Sequence, residues 1–314
     1  MIMRPMRSVM PETRPAALAA HIESAIAQGL VAARQGAPTD LIPGLQSVAP
    51  QKFGFSVVLL DGTTVSRGDT TELFSLQSIT KLFSLVALLQ LQPDAWDAVG
   101  WEPTAHSFRS LAELEARGGR PRNPFVNAGA LMVTDRLKSL TGDGFLPTLQ
   151  LIQELAGNPR IRSVPSVARA EFANAHVNSA IAHLLANANQ IHNPIPQLLR
   201  NYFRQCAIEA STEDTARAAL FLARKDQEHV VLGFEDRRRV NAVLLTAGMY
   251  NASGDIAYRV GMPVKSGIGG GIVGVLPGIG TVCVWSPPIE LPVELRGGLA
   301  ALEEFSRRAR WSIF

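Results

Sequence analysis

Strand-forming patterns in this 314-residue chain are confined to its two ends, with a long stretch of helix-forming sequence between them. A sheet built from such a chain must pair segments from opposite ends, and the middle must leave that sheet and return to it. Near the start, Phe55–Leu60, the turn dipeptide Asp61-Gly62 and Thr63–Ser66 predict a β-hairpin. Near the end, Ala257–Val260, Pro263–Ser266, Gly271–Leu276 and Gly280–Trp285 predict strands separated by glycines. Helical spacing marks Ala16–Arg34, Ser78–Leu91, Asn127–Leu140, Phe145–Leu155, Val167–Asn189, Pro194–Gln205, Thr212–Ala223, Asp236–Tyr250 and Leu299–Trp311. The expected class is α/β of the α+β type, a mainly antiparallel sheet flanked by helices with an inserted all-helical domain. The expected division is a disordered tail over 1–15, a sheet domain from 16–95 plus 226–314, and a helical domain over 96–225.

A hydrophobic fraction of 46% against 18% charged residues supplies ample core. Net charge is +3, and the basic clusters Arg237-Arg238-Arg239 and Arg307, Arg308, Arg310 read as solvated helix faces. Nucleic acid is not an expected partner. No apolar run reads as long enough to span a bilayer, and Met1–Pro15 carries arginines and prolines without an apolar core segment, so neither membrane nor secretory signal is expected. Two cysteines far apart, Cys206 and Cys283, suggest a reducing compartment, with the cytoplasm as the default.

Ser78-Ile79-Thr80-Lys81 places a hydroxyl and an amine three residues apart on an apolar segment. Residues at that spacing share a helix face, and burial favours the neutral amine that a base must be. Such a pair activates a serine nucleophile without histidine, although it also reads as an incidental surface pair. Lys265-Ser266-Gly267, on a predicted strand, is close in type to the K-T-G triplet that accompanies S-x-x-K in acyl-serine enzymes. The third element of the penicillin-recognising enzymes, a serine or tyrosine two residues before an asparagine, does not occur.

Five blocks carry a closer resemblance. They are Leu76–Lys81, Asn123–Ala130, Tyr202–Glu209, Gly248–Gly254 and Val264–Gly271. In this order they resemble the serine-dependent glutaminases, which share the β-lactamase-like fold. The resemblance implies hydrolysis of the side-chain amide of L-glutamine to L-glutamate and ammonia through an acyl-serine intermediate, with no metal or organic cofactor. It implies Ser78 as nucleophile and Lys81 with Tyr250 as the proton relay. Asn127, Glu171, Asn178 and Tyr202 are implied as the groups that hold glutamine, and the backbone N–H of Ile268 as an oxyanion donor beside that of Ser78. A homo-oligomer, dimer or tetramer, is implied by the same analogy.

These roles suit the chemistry, because an α-ammonium needs a carboxylate such as Glu171 and an α-carboxylate needs amide or hydroxyl donors. Glu171 and Asn178, seven apart, are expected on one face of one helix. Without the resemblance, Glu171 reads rather as a solvated helix residue, Asn127 as a helix N-cap, and Tyr202 and Tyr250 as core aromatics with a satisfied hydroxyl. The chain departs from the family pattern at Leu41, where a tyrosine is usual, at Ile268 in place of valine, and at Asn251 in place of aspartate. The family's Gly-Asn-Ser is also missing near Leu295–Gly298. Leu41 motivates one rival, a glutamine-binding protein with weak turnover; a hydrolase of β-lactam or D-alanyl substrates is the other. Gly269–Gly274 spells a dinucleotide-binding pattern but leads into a strand, not a helix. His176 and His183 lack a third metal ligand, and Cys206 reads as an inert buried thiol.

Overall fold

The computed structural model describes residues 10–33, 48–226, 231–287 and 295–314. The described end of the expected tail is fastened to the C-terminus. Glu12 N–H donates to Ala309 O at 2.8 Å, and the Trp311 indole donates to Glu12 O at 2.9 Å. Residues 1–9 lie outside the described residues.

Helix α1 (Pro15–Ala33) starts on a proline, whose missing N–H costs nothing in a first turn. By length and composition alone it is apolar enough to cross a membrane, contrary to the sequence expectation. Its buried side, Leu18, Ile22, Ala25, Gly29 and Ala33, packs on the last helix of the chain so closely that a Cβ on Gly29 would lie 2.7 Å from Gly297 O.

The predicted hairpin forms as β1 (Gly54–Leu59) and β2 (Thr64–Gly68), in a register that sets Val57 opposite Val65. Gly62 takes the turn at φ +89°, where a side chain would be strained. The chain continues through β3 (Phe74–Ser75), α2 (Thr80–Leu91), α3 (Trp96–Val99), α4 (Leu111–Ala116), α5 (Asn127–Thr141) and α6 (Leu146–Ala156). There follow β4 (Arg162–Ser163), α7 (Pro165–Ala173), α8 (His176–Asn187), α9 (Ile195–Cys206), β5 (Ile208–Ala210) and α10 (Thr212–Ala219). The last elements are α11 (Phe234–Ala247), α12 (Ser253–Val260), β6 (Val264–Ser266), β7 (Gly271–Leu276), β8 (Gly280–Trp285) and α13 (Arg296–Ala309).

The main sheet is five-stranded and antiparallel throughout, in the order β2-β1-β8-β7-β6. β1 from the first end therefore pairs with β8 from the other. Period-two alternation divides β1 between two cores: Phe55 and Val57 pack with Leu18, Ile22, Leu302 and Phe305, whereas Val58 joins the larger core containing α2, α5 and α10. On the second face the Ser56 and Thr212 hydroxyls meet at 2.8 Å, and Thr281 Oγ1 donates to Ala216 O at 2.6 Å, so α10 lies against the sheet.

Three expectations need correction. The middle of the chain is not purely helical, because β4 and β5 pair there and β5 also pairs with β3. The segment read as one helix over Val167–Asn189 is two, α7 and α8, broken where Asn174 ends the first and turns its side-chain amide onto Ala170 O at 3.0 Å. Residues Ala257–Val260 are helical: Ile256 and Val260, one turn apart, both face the core, and Gly261 closes the helix at φ +71°.

Candidate active site

Strand β3 delivers the chain to the site. Leu76 N–H donates to Ile208 O at 2.8 Å, and the backbone then turns through a 3-10 turn, Gln77–Ile79, directly into α2. Ser78 is partly exposed within this turn, while Gln77, Ile79 and the first ten residues of α2 are buried. The turn after β6 presses backbone against backbone on the same segment. A Cβ on Gly267 would lie 2.2 Å from Leu76 O, and one on Gly269 2.0 Å from Ser75 O. That contact sets Ile268, which leans on Val167, Ala168 and Ala207, beside the segment leading into Ser78.

Lys81 is fully buried, and its ammonium donates to Phe125 O at 2.9 Å and Asn127 Oδ1 at 2.7 Å. Burial lowers its pKa from 10.5 to about 8. The expected direct hydrogen bond from Lys81 to Ser78 is not among those of the described residues. Tyr250 lies within electrostatic reach of the Ser78 hydroxyl: its own pKa is pushed up by burial and drawn partly back by that serine. Tyr250 sits at φ +57° in the 3-10 turn Tyr250–Ala252, with its ring centroid 4.5 Å from that of Phe108.

Lys265, fully buried on β6, approaches the same tyrosine, its Nζ lying 3.3 Å from the hydroxyl. It also donates to Ser266 O at 2.8 Å. Burial, and then repulsion from Lys81, hold its pKa well below the ordinary lysine value. The K-T-G-like triplet pointed to this strand, but the reading of the sequence gave Lys265 no part in the site.

The substrate-holding candidates converge on the same place. Asn127, at the first position of α5, does not cap the helix. Its Oδ1 takes the Lys81 proton donor, and its Nδ2 donates to Asn178 Oδ1 at 2.8 Å. Glu171 accepts from Gln77 Nε2 at 2.7 Å, and the same nitrogen reaches Ser75 Oγ at 3.0 Å. Burial pushes the Glu171 pKa up to about 7, opposed in part by Gln77, and no ion pair satisfies it among the described residues. Tyr202 is buried on α9 within electrostatic reach of Tyr250, Glu171 and Cys206, and burial raises its pKa.

Glu171 and Asn178 thus reach one site from two helices, not from one face of one. The sequence reading assigned no role to Gln77, although it is adjacent to the candidate nucleophile. Asp40 and Leu41 lie outside the described residues. Cys206 and Cys283 are free and buried, and burial raises both thiol pKa values. His176 and His183 are exposed on α8, and the described residues hold no cluster of three potential metal ligands.

A buried chain of hydroxyl and amine groups beside an unpaired carboxylate suits amide hydrolysis of an amino-acid substrate. The family model described as Glutaminase matches residues 36–314. A glutaminase of Streptomyces coelicolor is 45% identical over 283 residues, covering 89% of this chain and 92% of that protein. One from Shewanella loihica is 43% identical over 286 residues, covering 89% and 94%. Among solved structures, a probable glutaminase, ybaS, aligns with a TM-score of 0.89 at 29% identity over 96% of this chain and 99% of that one. The Bacillus subtilis glutaminase YbgJ, solved as its covalent complex with 5-oxo-L-norleucine, aligns with a TM-score of 0.81 at 29% identity over 96% and 99%. With its antiparallel sheet and flanking helices of the β-lactamase-like kind, this chain belongs to the glutaminase family.

Proposed function

We propose that the enzyme releases ammonia from the side chain of L-glutamine by attack of Ser78 Oγ on the amide carbon. The Ser78 proton passes to Tyr250 as that hydroxyl gives its own proton to a neutral amine behind it, that of Lys265 or of Lys81 in its deprotonated form. The tetrahedral oxyanion is held by the backbone N–H groups of Ser78 and Ile268. Ammonia leaves with a proton returned through the relay, and water then cleaves the Ser78 acyl ester to give L-glutamate. Glu171 takes the α-ammonium, and Asn127, Asn178 and Tyr202 supply donors for the α-carboxylate. Leu41 is proposed to cost affinity for want of a hydroxyl.

The observation that carries this reading is the buried Lys265 amine 3.3 Å from the Tyr250 hydroxyl, a tyrosine within electrostatic reach of Ser78, with no carboxylate among the described residues paired to that lysine. We further propose that the enzyme works in the cytoplasm as a homo-oligomer, with the site in the cleft between the sheet-bearing ends, 16–95 plus 226–314, and the middle, 96–225. Ammonia release from glutamine, measured with asparagine alongside, tests the activity. Ser78→Ala is expected to abolish it, and normal ammonia release from that variant would overturn the assignment. Glutamine binding measured by calorimetry without ammonia production would select a binding protein instead.

A further inference from the structure

Four described non-glycine residues have positive φ, and two of them belong to the proposed machinery: Gln77 at +50°, immediately before Ser78, and Tyr250 at +57°, within electrostatic reach of the Ser78 hydroxyl. The two positions are built alike. Each opens a 3-10 turn, Gln77–Ile79 or Tyr250–Ala252, that runs straight into a helix, α2 or α12. The first residue of each helix is a buried hydroxyl residue, Thr80 or Ser253. Thr80 Oγ1 donates to Gln77 O at 2.8 Å, and Ser253 Oγ donates to Tyr250 O at 2.8 Å. Ser253 Oγ also accepts from Met249 N–H at 3.0 Å, closing the loop on both sides of Tyr250.

We propose that Thr80 and Ser253 are positioning residues that hold the backbone of Gln77, immediately before the nucleophile, and of the relay tyrosine Tyr250 in left-handed conformations these side chains do not otherwise favour. The inference rests on the reading of Ser78 as nucleophile. A left-handed backbone at glutamine or tyrosine persists only where its surroundings fix it. The two hydroxyls supply that restraint at the carbonyl of the strained residue itself. Several other hydroxyls bond a carbonyl inside regular helix, four residues back as Thr134 does to Ala130 O and Thr215 to Ser211 O, or three back as Ser84 does to Lys81 O, and none of those carbonyls belongs to a left-handed residue.

The Thr80 contact has a second effect. The Gln77 carbonyl and the Ser78 N–H belong to one planar trans peptide and point in opposite directions. Gripping Gln77 O therefore aims the Ser78 N–H, the proposed oxyanion donor. Ser253 acts on the other partner, fixing the Tyr250 backbone and hence the direction from which its hydroxyl meets Ser78.

The test compares the full-length parent with Thr80→Val, which keeps the shape of the side chain without its hydroxyl, with Thr80→Ser, which keeps the hydroxyl, and with Ser253→Ala. Four quantities are read: kcat on glutamine, the rate at which 6-diazo-5-oxo-L-norleucine labels Ser78 by mass, the Kd for glutamate, and the melting temperature. Thr80→Val and Ser253→Ala are expected to lose about tenfold or more in both kcat and labelling rate, as misplaced reacting groups do. Their glutamate Kd should stay within about threefold of the parent, since neither hydroxyl is placed at the ligand, and Thr80→Ser should restore most of the loss. Variants that keep kcat and labelling within about twofold would overturn the proposal. So would losses that disappear when the assay is run well below the variant's melting temperature. If Ser253→Ala does not fold, the near-isosteric Thr80→Val and its serine counterpart decide the matter. A parent that releases no ammonia would instead contradict the glutaminase mechanism itself.

Discussion

Lys265 Nζ lies 3.3 Å from the Tyr250 hydroxyl and 4.4 Å from the centroid of its ring, while Lys81 Nζ stands 5.6 Å from the same centroid. Two fully buried lysines thus share one tyrosine. Their mutual repulsion, added to desolvation, drives Lys265 towards the neutral form, in which an amine accepts a proton. Lys81, engaged with Phe125 O and Asn127 Oδ1, retains more of its cationic character and fixes the Asn127 side-chain amide.

Lys265→Met is therefore expected to lower kcat by about a hundredfold or more, the scale of a lost proton acceptor. Lys265→Arg should not rescue it, because a guanidinium stays protonated at every working pH. Steady-state kinetics on glutamine check both, and a methionine variant with kcat within about threefold of the parent would remove Lys265 from the relay.

The Lys81 pKa, lowered from 10.5 to about 8, sets a pH dependence. Where its neutral form is needed for the relay, kcat should climb as pH rises through about 8 and level off above it. Stability has the same direction. Between about 8 and 10.5 the unfolded chain binds the proton that the folded one has released, so stability rises with pH across that window, and the penalty is complete below it. A Lys81→Met variant should lack this dependence in denaturant titrations at pH 7 and pH 10.

Glu171 carries the opposite sign. Its pKa is raised from 4.5 to about 7, so the folded state holds a proton that the unfolded state has lost, and stability falls as pH rises through that interval. Glu171→Gln should therefore gain stability at pH 8, by up to about 3 kcal/mol, and much less near pH 4.5. Substrate binding should suffer in exchange. Loss of a charge-assisted contact to the α-ammonium predicts a KM about tenfold to a hundredfold higher. Thermal melts at the two pH values, with KM at pH 8, test the trade.

The parts legible in the sequence are those governed by local pattern. The hairpin, β7, β8 and most helices follow from periodicity and turn residues, and the Ser78 and Lys265 motifs stand out as strings. What escaped depends on contacts between distant segments. Nothing in the residue type of Gln77 or Tyr250 announces a left-handed backbone, since that conformation is imposed by neighbours. The break between α7 and α8 turns on one asparagine side chain, and the α12 segment differs from the strand expectation because Tyr258 and Val260 are strand-favouring residues, while the burial of Ile256 and Val260 follows a helical period. Lys265 was visible as a motif, but its reach to Tyr250 is a property of the fold.

Backbone crowding beside Ser78 gives a last prediction. Gly269 has an ordinary φ, so its requirement for glycine is one of space: a Cβ there would sit 2.0 Å from Ser75 O, a backbone atom that cannot swing aside. Gly269→Ala must therefore displace the turn after β6, moving the Ile268 N–H away from Ser78. A stability loss of about 1–3 kcal/mol is expected from such overpacking, with a fall in kcat larger than that in substrate affinity. Gly254, in the first turn of α12, has nothing within 4 Å of its Cβ position. Gly254→Ala should leave kcat unchanged and stabilise by up to about 1 kcal/mol through helix propensity. Denaturant midpoints and kinetics on the two variants separate the cases, and equal behaviour of Gly269→Ala and Gly254→Ala would show that the turn after β6 does not govern the oxyanion donor.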